Sequence, residues 1–166
     1  MRRWIILLVV LLVPPWARAD GVSELPMATR ILVEKSARRM TLFEHDRVLR
    51  TYRVALGVEP VGPKQVEGDL RTPEGRYRII ARNPRSDFFL SLQVSYPDAR
   101  DVDRARRAGA RPGGAIMIHG LPNQPRQSLE YYAKTDWTDG CIALNNADMI
   151  EVWMLVPENT PIEIRP

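Results

Sequence analysis

The sequence predicts a mainly β fold with a few short helices, arranged as a mixed, mostly antiparallel β-barrel or sandwich. Short runs of aliphatic and β-branched residues recur between turn-forming segments, which is typical of strands. The predicted strands and helices do not alternate regularly, which argues against a doubly wound parallel sheet. With 166 residues, of which 45% are hydrophobic and 27% charged, the chain has the composition of a single globular domain.

The predicted strands are short apolar runs, and they cover residues 31–35, 40–44, 48–56, 75–81, 90–95, 115–118 and 161–164. A polar turn at residues 45–47 joins the second and third of them into a hairpin. The run over residues 115–118 is expected to be a central strand that ends at His119. Residues 57–72 are rich in glycine and proline and predict a long loop.

Two helices and one helical turn are predicted between and after these strands. Residues 98–108 combine charged residues with alanines and indicate a short exposed helix, and residues 128–135 indicate a helical turn. Asn146 is expected to be the N-cap of the last helix. Apolar residues follow it at near-helical spacing until Pro157 ends the helix.

Residues 1–19 have the layout of a secretory signal peptide. A short positive start with Arg2 and Arg3 precedes ten apolar residues at 4–13, and a small-x-small cleavage sequence ends at Ala19. A retained membrane anchor is the alternative, but ten residues are short of the roughly 20 that span a bilayer. We expect cleavage after Ala19, which leaves residues 20–166 as one domain without a stable membrane span.

The basic character of the chain gives no argument for nucleic-acid binding. The sequence has 24 lysines and arginines against 20 acidic residues, and three of the basic residues lie within residues 1–19. Without that segment the balance is 21 against 20, since 24 minus 3 is 21. Nucleic acid is therefore not expected as a partner.

Cys141 is the single cysteine of the sequence, and it cannot form an intramolecular disulfide in an oxidising compartment. A lone cysteine is either buried and inert or retained for its reactivity. Gly140 permits a sharp turn and a close approach of the backbone. The N–H groups around Cys141 can then point at a carbonyl oxygen, as an oxyanion hole requires. The residues alone leave both interpretations open.

His119 is the candidate general base, because it follows a predicted strand and precedes Gly120. Taken alone, a histidine in this position is more often structural. The other histidine, His45, lies in the hairpin turn, where a solvated role is expected. A histidine within hydrogen-bond reach of Cys141 raises the thiolate fraction and later protonates a leaving amine. The sequence has no H-x-x-x-H or C-x-x-C spacing and no phosphate-binding glycine loop, so neither a metal nor a cofactor is expected.

The sequence IMIHG at residues 116–120 is followed further along the chain by TDGC at 138–141. This pair of motifs resembles the signature of L,D-transpeptidase (YkuD-type) catalytic domains, a His-Gly pair followed by Ser/Thr-x-Gly-Cys. Residues 62–77, with GPKQ, GD and TPEGRY, are similar to the loop and strand that precede the site in this family. The opening hairpin and the SYPD sequence at 95–98 add to a likeness that extends over residues 29–165.

The resemblance implies a β-rich catalytic fold in which Cys141 attacks the L,D peptide bond of a peptidoglycan stem peptide and forms a thioester. His119 is then the acid/base, and the Gly120 carbonyl orients its imidazole. The N–H groups of Cys141 and its neighbour are implied to form the oxyanion hole. The residues implied to form that hole or to contact substrate are Gly140, Thr138, Asp139 and Tyr96. This substrate lies outside the cytoplasmic membrane, so we expect the periplasm or cell envelope and a role in cell-wall biogenesis and cell shape.

Two positions depart from the pattern of many relatives. Asp139 replaces a histidine, and an acid stabilises a neighbouring thiolate less than a cation does. Ala143 replaces an arginine whose implied role is to bind a substrate carboxylate. The variant motif is similar to a sub-branch that includes a hydrolase releasing a wall-bound lipoprotein. Water is therefore an alternative acceptor, which would make the protein an L,D-carboxypeptidase or an amidase acting on a wall-linked lipoprotein. A non-catalytic envelope binding domain with a buried Cys141 is the third hypothesis.

Overall fold

The computed structural model describes residues 26–166, so the predicted signal peptide and its cleavage site lie outside the described residues. The strands are β1 (Arg30–Glu34), β2 (Arg39–Glu44), β3 (Arg47–Arg53), β4 (Gly75–Ser86), β5 (Phe89–Val94), β6 (Met117–His119), β7 (Ile142–Ala143) and β8 (Pro161–Arg165). The helices are α1 (Ala99–Arg107), α2 (Leu129–Lys134) and α3 (Asn146–Leu155). None of the helices in this part of the chain is long and apolar enough to cross a membrane.

The eight strands form one mixed, curled sheet, a half-barrel with the order β3-β2-β1-β8-β4-β5-β6-β7. Two neighbouring pairs, β1–β8 and β6–β7, are parallel. The other five pairs are antiparallel. The predicted fold class is therefore confirmed, including the predominance of antiparallel pairing.

Alternating burial explains why these segments form strands. In β1 and β8 every second residue is buried, and Ile31, Val33, Ile162 and Ile164 are at most 2% exposed. Such side chains stabilise the fold by about 1.5–3 kcal/mol each relative to full exposure. Buried residues of α3, among them Met149, join the same apolar cluster. The core thus connects the concave sheet to the helix that follows the cysteine motif.

Three expectations about individual elements were wrong in detail. The strand at residues 117–119 is second from an edge of the sheet and not central, because the two-residue strand β7 pairs outside it. Strand β4 extends to Ser86, since its second half pairs with β5 after its first half has paired with β8. The N-cap of α3 is Asn145, whose Oδ1 accepts the Asp148 N–H, and Asn146 is the first helical residue.

The long loop at residues 57–74 is held by two buried lysines. Lys35 Nζ donates to the Thr72 carbonyl at 3.0 Å and to Glu74 at 2.8 Å, so this end of the loop is tied to β1. Lys64 Nζ donates to Asp69 at 2.8 Å within the loop. These ion pairs give a fixed shape to a segment that has no periodic sequence pattern, and one face of it forms a wall of the cavity described next.

Candidate active site

A cavity of about 680 Å³ lies beside the ends of β6 and β7. Both His119 and Cys141 line it, together with side chains from the 57–74 loop, the β4–β5 turn and the segment before β6. Ile118 and Ile142 are paired neighbours on β6 and β7, and both are fully buried in the core. Because side chains alternate along a strand, the residues next to them in sequence, His119 and Cys141, face the opposite side. The sheet therefore directs both groups to the cavity.

Cys141 is positioned by the tight turn that precedes β7. Gly140 has φ +131°, and a Cβ there would lie 2.6 Å from the Arg71 carbonyl oxygen. A side chain at this position is excluded by both conformation and contact. Cys141 Sγ accepts the Met117 N–H at 3.4 Å and lies 3.6 Å from the Ala115 carbonyl. The cysteine is partly exposed, so its sulfur is reached from the cavity.

Thr138 connects the two residues of the cysteine turn. Its buried Oγ1 accepts the Gly140 N–H at 3.1 Å and donates to the Cys141 carbonyl at 2.8 Å. The Gly140 N–H is therefore engaged in this structure. The Cys141 N–H has no acceptor within residues 26–166.

His119 is buried at the end of β6, with its side chain oriented by the backbone. Its Nδ1 lies 2.7 Å from the Gly120 carbonyl oxygen, which can only accept, so Nδ1 carries the proton and donates. The imidazole packs against Phe88 and Trp137, at ring-centroid distances of 4.6 and 5.6 Å. With Nδ1 protonated in the neutral ring, Nε2 is the basic nitrogen.

Burial disfavours the charged forms of both His119 and Cys141. Burial lowers the pKa of His119 from its ordinary 6.5, and the hydrogen bond to Gly120 opposes this only in part. Burial raises the pKa of Cys141 above 9.0. The Met117 N–H and the Lys64 charge act in the opposite direction, and the Asp139 charge raises the Cys141 pKa further. No hydrogen bond joins Cys141 Sγ to the His119 ring. Both shifts favour a neutral imidazole and a neutral thiol over an ion pair.

The structure separates the other predicted site residues. Thr138 and Asp139 line the cavity with Cys141. Tyr96 does not: its hydroxyl donates to the Pro112 carbonyl at 2.9 Å, and its ring packs edge-on against Tyr77 in the core. The prediction of a substrate contact at Tyr96 is corrected accordingly, since the SYPD segment turns this side chain inward.

Sequence reasoning missed the aromatic residues around the histidine. Phe88 comes from the β4–β5 turn and Trp137 directly precedes the cysteine motif, and both line the cavity. The indole N–H of Trp137 is buried and has no hydrogen-bond partner among the described residues. A tryptophan next to the motif was a usable signal, whereas Phe88 is distant from His119 in the sequence and gave none. Within residues 26–166, no group of three or more His, Cys, Asp or Glu side chains is arranged to hold a metal ion.

Comparison with known proteins identifies the family. The model of the YkuD L,D-transpeptidase catalytic domain matches residues 28–164. YafK of Escherichia coli K12, whose name places it among L,D-transpeptidases, is 27% identical over 133 residues, which is 76% of this chain and 46% of YafK. The chain thus spans about half the length of this curated relative.

Two solved structures share the fold. The helical cell shape determining protein Pgp2 of Campylobacter jejuni has a TM-score of 0.61 at 24% identity and covers 83% of this chain and 47% of Pgp2. An L,D-transpeptidase from Mycobacterium smegmatis has a TM-score of 0.55 at 16% identity and covers 84% of this chain and 59% of that protein. With the family model matched over almost all described residues, this chain belongs to the L,D-transpeptidase (YkuD) catalytic domain family.

Proposed function

We propose that this protein performs cysteine-dependent acyl transfer on peptidoglycan stem peptides, with Cys141 as the nucleophile and His119 as the acid/base. The observation that carries the proposal is that both side chains face one cavity while the Gly120 carbonyl holds the imidazole with Nε2 unprotonated. Membership in the family supports the same reaction class. The cavity of about 680 Å³ is large enough for a short peptide segment.

Because burial disfavours both charged forms, we place the first proton transfer within the attack itself. As the Cys141 sulfur attacks the carbonyl carbon of the L,D bond, His119 Nε2 takes the thiol proton. The imidazolium then protonates the amine of the D-residue, the C–N bond breaks and a thioester remains. An amine from a second stem peptide attacks that thioester, gives its proton to His119, and the thiol is restored. No net charge is created between the first and the last state.

The developing oxyanion is stabilised best by the Cys141 N–H, which has no acceptor among the described residues. The Gly140 N–H contributes only when it exchanges its bond to Thr138 for one to the substrate oxygen. The exposed Asp139 lines the cavity, whereas the charge of Lys64 is paired with Asp69, so Asp139 influences which end of a stem peptide lies beside the cysteine.

We further propose that residues 1–19 are removed on secretion and that the mature chain acts in the cell envelope, where stem peptides are found.

The experiment that tests the chemistry combines tetrapeptide-containing muropeptides with the purified mature chain, and a carbapenem with the same protein. A carbapenem is a strained cyclic amide whose carbonyl a cysteine attacks to leave a stable thioester. We expect turnover and a mass adduct on Cys141, and neither with Cys141→Ala. Absence of both in the wild-type protein overturns the proposal.

Hydrolysis of the same bond is a second candidate, favoured by Ala143. This residue stands where many relatives have arginine, and it is 2% exposed and bridged to Ala55 in the sheet. It therefore provides no cation for a second stem peptide. Product masses decide: cross-linked dimers indicate transpeptidation, whereas trimmed peptides or released lipoprotein indicate a carboxypeptidase or an amidase. A Cys141→Ala strain with full cellular activity would instead indicate a non-catalytic binding domain.

A further inference from the structure

The peptide unit between Gly120 and Leu121 is held at both ends by side chains. Its carbonyl accepts the His119 Nδ1–H at 2.7 Å, and its N–H donates to Asn146 Oδ1 at 2.8 Å. His119 and Asn146 are far apart in the sequence and belong to different elements, β6 and α3. One backbone amide therefore connects the imidazole to the first turn of α3.

Asn146 is not the N-cap of α3 that its sequence context suggests. Asn145 caps α3, since its Oδ1 accepts the Asp148 N–H at 2.8 Å and its Nδ2 donates to the Asp148 carboxylate at 2.7 Å. Asparagine is a weak helix former, so Asn146 does not stabilise α3 through its intrinsic helix propensity. The hydrogen bond that its oxygen makes is the one to Leu121, which is 25 residues away in sequence.

Asn146 approaches Gly120 so closely that a side chain at position 120 would displace it. A Cβ on Gly120 would lie 2.6 Å from Asn146 Oδ1 and 3.2 Å from the Phe88 carbonyl oxygen. The Gly120 N–H is fixed by the carbonyls of Phe88 and Leu90. Glycine itself imposes little preference on the next torsion. The orientation of the Gly120–Leu121 peptide plane is thus left to its two hydrogen bonds.

We propose that Asn146 is a positioning residue that acts on His119 through the Gly120–Leu121 peptide. By accepting the Leu121 N–H, Asn146 prevents this peptide plane from rotating its carbonyl away from Nδ1. A hydrogen bond to the N–H end of an amide also strengthens the acceptor at its carbonyl end. Together these effects keep His119 in the Nδ1–H tautomer, with Nε2 facing the cavity. The kinetic consequence rests on the function proposed above, whereas the tautomer of His119 does not.

The helix gives this arrangement a rigid base. Met149 and Val152 of α3 are fully buried in the core cluster, so the first turn of the helix cannot move without disturbing the core. Asn146 therefore fixes the position of the imidazole relative to the core, although the strand that carries His119, β6, has only three residues.

The first measurement needs no substrate. Nitrogen-15 chemical shifts of the two imidazoles report their tautomers, and His45 provides an internal reference in an exposed turn. We expect His119 to be an Nδ1–H tautomer in the wild-type protein. In Asn146→Ala the ratio of Nδ1–H to Nε2–H should fall at least tenfold. Asn146→Asp keeps an oxygen acceptor in place and should restore the wild-type tautomer.

Asn145→Ala is the matched control, because it removes the cap of the same helix and leaves the Leu121 bond untouched. It should lower thermal stability while keeping the His119 tautomer. Asn146→Leu removes the same acceptor as Asn146→Ala with a side chain of similar size, and it serves if the alanine variant does not fold. The proposal is overturned if Asn146→Ala and Asn146→Leu, or whichever of the two folds, keep the wild-type tautomer ratio.

Kinetics then test the consequence for the reaction. The rate of Cys141 acylation by a carbapenem should fall ten- to a hundred-fold in Asn146→Ala. It should stay within about threefold of wild type in Asn145→Ala and in Asn146→Asp. Equal rates in the two alanine variants would contradict the positioning role. If the wild-type protein is not acylated at all, the proposed function fails, and the tautomer measurement still decides on Asn146.

Discussion

Replacement of Thr138 by valine tests how the cysteine turn is built. Thr138 is 4% exposed, and its hydroxyl bridges the Gly140 N–H and the Cys141 carbonyl. Valine has nearly the same shape but can neither donate nor accept. The substitution therefore removes two hydrogen bonds without creating a cavity, and the backbone bonds of residue 138 to Leu56 and Val58 remain.

The expected cost follows from these two bonds. A net intramolecular hydrogen bond contributes about 1 kcal/mol, and a buried donor left without a partner costs about 1–3 kcal/mol. Gly140 is buried, so its N–H has no direct access to bulk water. We expect Thr138→Val to lower the free energy of unfolding by about 2–4 kcal/mol. Thr138→Ser keeps both bonds and loses one methyl group, for which about 1 kcal/mol is expected.

Urea unfolding of both variants, followed by tryptophan fluorescence, measures this difference. The acylation rate of Cys141 should fall at least tenfold in Thr138→Val, because the sulfur loses the turn that aims it, and should stay near wild type in Thr138→Ser. If the valine and serine variants have the same acylation rate and the same free energy of unfolding within experimental error, the hydroxyl bridge does not hold the turn and the reasoning is refuted.

Three further outcomes are expected from the same site. Because burial lowers the pKa of His119 below 6.5 and raises that of Cys141 above 9.0, acylation should be constant across neutral pH and fall only below 6.5 as the base is protonated; a rate falling between pH 8 and 7 would contradict this. Lys64→Met removes the cation that pairs with the 13% exposed Asp69 carboxylate, which keeps only its backbone N–H donors; urea unfolding should show a loss of about 3 kcal/mol, and an unchanged stability would contradict this. Gly140→Ala combines a positive φ with a backbone clash, whereas Gly109→Ala has a positive φ with open space around it. Calorimetry should show the Gly140 variant to be less stable than the Gly109 variant by about 2 kcal/mol or more. Equal stabilities would show that the contact with the Arg71 carbonyl has no cost.

The strands that could be predicted from the sequence are those whose pattern is local. Consecutive residues are enough to predict the alternating burial in β1 and β8 and the turn between β2 and β3. The two-residue strand β7 has no pattern at all and exists because β6 offers it a parallel partner. The position of β6 within the sheet depends on that same pairing, which is why residues 117–119 were wrongly expected at the centre.

The sequence predicted which side chains lie together at the cavity, whereas their catalytic roles stay a proposal. Cys141, His119 and Gly120 follow from the two motifs, and the side chains of His119 and Cys141 line one cavity. The inward orientation of Tyr96 depends on the packing of a segment whose sequence is compatible with either direction. Two consecutive asparagines gave no means of deciding which one caps α3, and the role of the other depends on a loop 25 residues away.

The electrostatics of the pair explain why the histidine needs such support. Desolvation works against both charges of the proposed first proton transfer, since it raises the pKa of Cys141 and lowers that of His119. The Gly120 carbonyl is the group that favours the imidazolium, because its hydrogen bond raises the His119 pKa. A carbonyl performs this task only while it points at Nδ1. The strength of the base therefore depends on the orientation of one peptide plane, and Asn146 is the side chain that holds its other end.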